Sequence, residues 1–140
     1  MTIKYALLVG TYFNKPAGTL LKCLPDGARV ELIGDPDNPY DADAIKVVLE
    51  APHLALRLAR LESSEIQEEL LGQGWNLEDV LAQSAIMLGH VGASGGKPLM
   101  KAGPSAPGPV VGTKDLPEGQ RPAFGRLRFF GELVWIELEA

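Results

Sequence analysis

Nine consecutive residues, Asp35-Pro36-Asp37-Asn38-Pro39-Tyr40-Asp41-Ala42-Asp43, gather four carboxylates, two prolines, one amide and one tyrosine. Clustered carboxylates can hold a cation, act as an acid and base pair, or accept hydrogen bonds. A calcium loop of the EF-hand type starting at Asp35 would need Gly at its sixth position and Glu at its twelfth. Tyr40 and Lys46 stand there, so no metal site is expected. Glycoside chemistry needs one of two acids to have a raised pKa, and aspartates in a polar, proline-rich turn lack the apolar surroundings that raise it. Accepting hydrogen bonds is the chemistry left. Asp35-Pro36 and Asn38-Pro39 are turn dipeptides, Asn38 or Asp41 can accept backbone N–H bonds in Asx-turns, and Asp41 or Asp43 can cap the turn into Ala44. Tyr40 is the residue this local role does not explain. Either its ring packs back onto the fold, or it offers a platform on which a nucleobase stacks, worth roughly 1–3 kcal/mol per base.

The loop lies between strands. Ile3 to Val9 reads as a first strand ended by Gly10, and in Ala28 to Ile33 Val30 and Leu32 alternate with Arg29 and Glu31, as on a half-buried strand. Asn14-Lys15-Pro16-Ala17-Gly18 between them reads as a turn. After the loop, Ala44 to Leu49 is a β-branched run and His53 to Arg60 alternates leucines with polar or small residues. Ser64 with Gln67 and Asn76 with Asp79 are capping boxes that open two short helices, the first stopped by Gly72 and Gly74. Ile86 to Val91 reads as a strand broken at Gly89. Residues 92–123 are rich in Gly and Pro and read as a long loop or linker. Arg126 to Phe130 and Glu132 to Leu138 are further strands, with Gly131 a bulge or bend between them. The expected fold is mainly β, a small SH3/OB-like barrel of about six strands with two short inserted helices, in one domain over residues 1–140 that ends in a strand region at 125–139.

Bulk properties narrow the function classes. A chain of 140 residues supports one core. The formal charge of −5 argues against a broad basic footprint for duplex nucleic acid. Charge is nonetheless uneven: residues 1–29 carry Lys4, Lys15, Lys22 and Arg29 against Asp26, whereas residues 61–79 carry Glu62, Glu65, Glu68, Glu69, Glu78 and Asp79 and no base. Cys23 is the only cysteine, which excludes an intrachain disulfide and fits a cytoplasmic setting. Its apolar neighbours suit a small buried side chain rather than a reactive thiolate. Residues 6–10 form too short an apolar run for a secretion signal, and no run approaches the roughly 18 residues of a membrane span. Catalytic patterns are also missing. The sequence has no Walker pattern and no histidine cluster, its only histidines being His53 and His90, and Gly92-Ala93-Ser94-Gly95-Gly96-Lys97 departs from a phosphate loop in spacing and in the residue after Lys97. A non-enzymatic chain without a cofactor is expected.

The run from Asp35 to Val47, Asp-Pro-Asp-Asn-Pro-Tyr-Asp-Ala-Asp-Ala-Ile-Lys-Val, resembles the signature of the HIRAN domain, a small β-barrel module found fused to helicase-like and nuclease proteins and alone in bacteria and phages. Leu8-Val9-Gly10-Thr11-Tyr12-Phe13 is similar to the family's first strand, with its glycine and aromatic pair. The resemblance covers about residues 5–50 closely and 51–91 loosely. Two segments compete for the family's later strand. Leu58-Ala59-Arg60-Leu61 before the Ser64 helix keeps the strand-then-helix order and is preferred, whereas Gly89-His90-Val91 keeps the residue types. On the preferred alignment His90 reads as an ordinary strand or loop histidine.

The resemblance implies binding of the 3′ end of single-stranded DNA. Carried onto this chain, it nominates Tyr12 or Phe13 and Tyr40 for stacking, with Asn38 in the same signature, and Asp41 to accept from the 3′-OH. Lys15, Lys46, Arg57 and Arg60 are candidates for phosphate contacts. Thr11 stands where the family carries a basic residue. The competing expectation is a protein-interaction module that docks on a replication, transcription or repair protein such as a polymerase, helicase or nuclease. Its contact residues would be Glu65, Glu68 and Glu69 on the acidic helical face, or Lys97, Met100 and Lys101 in the Gly/Pro-rich loop.

Overall fold

The computed structural model describes residues 3–11, 15–50, 64–83, 85–92, 107–116, 119 and 121–139. Alternating apolar residues do form strands here: β1 (Tyr5–Val9), β2 (Arg29–Gly34), β3 (Ile45–Glu50), β4 (Ala85–Val91), β5 (Phe124–Phe130) and β6 (Leu133–Leu138). They close into a barrel in the order β1-β4-β3-β2-β5-β6, with every neighbouring pair antiparallel. Ala6, Leu8, Val30, Leu32, Val47, Leu88, Leu127 and Ile136 fill it. This is the small barrel with inserted helices expected from the sequence. The expected strand over 53–60 lies outside the described residues.

Two strand readings are corrected. Gly89 does not break β4, which runs through it, buried, to Val91. A Cβ at that position would collide with the Val9 carbonyl oxygen and lie 3.1 Å from a Leu8 methyl. The glycine is therefore where β1 crosses closely over β4. Nor is Gly131 a bulge. Phe130 pairs with Leu133, so Gly131 and Glu132 form a two-residue hairpin turn, and Gly131 takes the left-handed conformation (φ 67°) that such turns require at their first position. The sequence reading assigned Glu132 to the strand and left one residue too few for the turn.

Three short helices occur among the described residues, one more than expected. Helix α1 (Lys15–Leu21) replaces the predicted turn. Pro16 sits in its first turn, where a missing N–H costs nothing. Gly18 lies on its exposed side, and burial of Ala17, Leu20, Leu21 and the following Leu24 outweighs the glycine's helix penalty of about 1 kcal/mol. Helix α2 (Ser64–Gly72) ends in a Schellman motif, with the Trp75 N–H donating to the Leu70 carbonyl and the Gly74 N–H to that of Leu71, each at 3.0 Å. Trp75 then packs on the core. Helix α3 (Leu77–Ala82) is capped as expected, the Asn76 side chain accepting from the Asp79 N–H at 2.8 Å. None of the helices is long and apolar enough to cross a membrane.

Within the Gly/Pro-rich stretch, residues 107–116 are part of the fold. The Tyr5 N–H donates to the Pro109 carbonyl, the Val111 N–H to that of Tyr5, and the Thr113 N–H to that of Gly92. Thr113–Asp115 forms a 3-10 turn, with Thr113 and Leu116 buried. This segment lies along β1 rather than acting as a linker. Two glycine substitutions should separate close approach from helix propensity. Chemical denaturation of Gly89→Ala is expected to show a loss of about 1–3 kcal/mol, because the clash is with backbone. Gly18→Ala, with nothing within 4 Å of the new methyl, should gain about 0.5–1 kcal/mol.

Candidate functional site

The acidic loop joins β2 to β3 and is held by its own side chains. The Asp35 N–H donates to the Ala44 carbonyl at 2.8 Å, closing the loop's base, and the Asn38 N–H donates to the Asp35 carbonyl at 3.1 Å. Asn38 Oδ1 accepts from two backbone donors, Tyr40 N–H at 2.9 Å and Asp41 N–H at 3.2 Å. Asp41 Oδ1 accepts from the Asp43 N–H at 2.9 Å. These are the Asx-turns the residue types call for, with both Asn38 and Asp41 used. Among the described residues the second Asp41 oxygen has no partner.

Tyr40 does not pack back. Its residue is 93% exposed, the most open of the large apolar residues on the described surface. Between the two roles left open by sequence, the structure removes the packing one. An aromatic ring held out in water gains nothing from burial, while the loop beneath it is tied at both ends.

Two residues outside the loop secure it. His90 Nε2 lies 3.1 Å from Asp35 Oδ2, and the same oxygen accepts from Asn38 Nδ2 at 3.3 Å. Both partners are half-buried, with side chains 20% and 25% exposed. Lys46 pairs with His90 across β3 and β4, which puts the two side chains on the same outer face. The His90 hydrogen bond, then that of Asn38, then the charges of His90 and Lys46 hold the Asp35 carboxyl below its ordinary value against the opposing effect of desolvation. Arg121 secures the other end. Its Nε donates to the Leu116 carbonyl at 2.9 Å, its Nη2 to that of Asp43 at 3.4 Å, and the guanidinium lies 3.9 Å from the Asp43 carboxylate.

His90 is therefore a strand histidine with a defined partner, the Asp35 carboxylate. The signal available in the sequence was the Gly89-His90 step, set aside in favour of strand order. Arg121 carried no signal at all. No family model, curated protein or solved structure matches the chain.

Of the other nominated residues, Lys46 reaches the loop's neighbourhood on β3, and Lys15 opens α1. Tyr12, Phe13, Arg57 and Arg60 lie outside the described residues, as do Lys97, Met100 and Lys101. The acidic helical face is smaller than its sequence suggests. Glu65 and Glu68 are exposed on α2, but Glu69 turns to α1, where its carboxylate accepts from Lys22 Nζ at 2.9 Å and from the Thr19 hydroxyl at 3.1 Å. The Lys22 hydrogen bond lowers the Glu69 pKa. Cys23 is buried, and that burial pushes its thiol pKa up. Among the described residues no group of three His, Cys, Asp or Glu side chains is placed to hold a metal ion.

Because the Asp35 pKa is lowered on folding, its contribution to stability is present above the reference value of 3.8 and is lost as pH falls through the lower folded value. A carboxyl-carbon NMR titration should place the Asp35 midpoint below that of the free side chain, and Asn38→Ala should move it back up. The same substitution removes the acceptor for two backbone N–H groups in a partly solvated turn. Urea denaturation should show it costing about 1–2 kcal/mol.

Proposed function

We propose that this chain is a non-enzymatic binding module that receives the 3′ end of single-stranded DNA. The observation that carries the proposal is the open ring of Tyr40 on a loop whose backbone is tied down on both sides of it. A terminal base stacks on the ring, and the Asp41 oxygen that has no partner among the described residues accepts from the 3′-OH. The carboxylates around it serve selectivity. They repel internal phosphates, whereas a terminal hydroxyl can donate to one of them. Lys46, on the outer face beside His90, supplies a cation near the strand's last phosphate. The resemblance of residues 35–47 to the HIRAN signature supports the same ligand class, and the single buried cysteine suits a cytoplasmic protein.

A second reading has its own observation. Glu65 and Glu68 are exposed on α2, and Leu71, three residues after Glu68 on the same side of the helix, is 62% exposed. An acidic strip beside an open leucine suits docking on a basic, partly apolar surface of a polymerase, helicase or nuclease.

Fluorescence anisotropy with oligonucleotides ending in a free 3′-OH or a 3′-phosphate separates the two readings. End recognition predicts tighter binding to the free hydroxyl. Tyr40→Ala should weaken that binding about tenfold or more, in line with roughly 1–3 kcal/mol for a lost stack. Asp41→Ala should remove the preference between the two ends. Equal binding of both ends by the unaltered protein would discard end recognition. Loss of a protein partner on charge reversal at Glu65 and Glu68 would favour docking.

A further inference from the structure

We propose that His90 is the positioning residue of the Tyr40–Asp41 display, acting through Asp35 and Asn38 without touching the ligand. The connection is a continuous relay of hydrogen bonds. His90 Nε2 meets Asp35 Oδ2 at 3.1 Å, Asn38 Nδ2 meets that oxygen at 3.3 Å, and Asn38 Oδ1 holds the Tyr40 and Asp41 amides at 2.9 and 3.2 Å. Each link has only one workable direction. An ionised carboxylate can only accept, so His90 must present Nε2–H to it. Asn38 must turn its NH2 group to the same oxygen, which leaves its carbonyl oxygen as the acceptor for the two backbone amides. The Asp35 carboxylate thus sets the Asn38 orientation, His90 fixes where that carboxylate sits, and the amide in turn holds the turn carrying the ring.

The anchor at the far end is rigid. His90 follows Gly89, buried beneath β1, and precedes Val91, also buried. Lys46, its cross-strand neighbour, is the other charged group whose field reaches Asp35. The relay ties the exposed loop to the barrel wall across 55 residues of sequence. A loop ordered before binding loses less conformational entropy when the ligand arrives, so the effect on affinity is one of preorganisation. This consequence for DNA rests on the function proposed above, whereas the relay itself does not.

Long-range nitrogen–proton correlation spectra of the unaltered protein should show the neutral His90 ring protonated at Nε2. A neutral ring protonated at Nδ1 would overturn the proposal without any variant. His90→Phe removes the donor, and His90→Gln returns an N–H at about the same reach. The Phe variant should displace the Tyr40 and Asp41 amide resonances and lower their heteronuclear NOEs while leaving the resonances of the β5–β6 hairpin in place. The Gln variant should restore both amides, and a merely structural role would give no such selective rescue. Unmoved amides in His90→Phe, or amides that Gln fails to restore, would refute the relay. If the spectra behave as expected, the free 3′ end should bind His90→Phe about tenfold more weakly, the scale of one charge-assisted hydrogen bond. Selective rescue of the amides together with no preference for a free 3′ end in the unaltered protein would support the relay and reject end recognition.

Discussion

Barrel closure brings β1 against β4 at Gly89, and the arrangement of the loop depends on that contact. A side chain there would push into the Val9 carbonyl, so the approach is open only to glycine. On the other edge of β4, Gly89 pairs with Val47 and Met87 with Val48, a register shift that leaves Leu88 as the extra residue of a bulge. Bulges re-aim the residues beside them. His90 emerges next to this one, on the outer face beside Lys46 and within reach of the end of β2. The barrel wall is thus shaped where the loop needs support.

That support explains how four carboxylates share nine residues of sequence. Asp35 meets His90 and Asn38, Asp41 accepts from the Asp43 amide, and Asp43 faces Arg121. Each of these three has a donor or a cation to set against its neighbours' charge. The loop is consequently held by its own side chains together with His90 and Arg121 outside it. Its carboxylates are spent mostly on backbone geometry, with one Asp41 oxygen left over among the described residues. The ring of Tyr40 is the product of that geometry, an apolar surface kept in water by the turn beneath it.

The helices show the same division of labour. Local signals were enough for α3, whose Asn76 cap involves residues three apart, and for the stop after α2. They misled at α1, where Asn14, Pro16 and Gly18 all speak for a turn, because burial of Leu20, Leu21 and Leu24 under the barrel is a gain that punctuation residues do not register. They misled again at Glu69. In sequence it belongs to an acidic run, but in space Lys22 draws it toward α1 from 47 residues away.

Sequence by itself determined whatever is local to a few residues: the alternation that makes strands, the asparagine cap, and the Asx-turns of Asn38 and Asp41. Those depend on donors and acceptors two or three positions apart, which the order of residue types lays down directly. The tertiary structure decided the rest of the site. It turned Tyr40 outward, set His90 against Asp35 and Arg121 against Asp43, 78 residues apart, and laid residues 107–116 along β1. Those contacts depend on register around a closed barrel, where a shift of one residue turns a side chain to the opposite face, and no local pattern in the chain specifies that register.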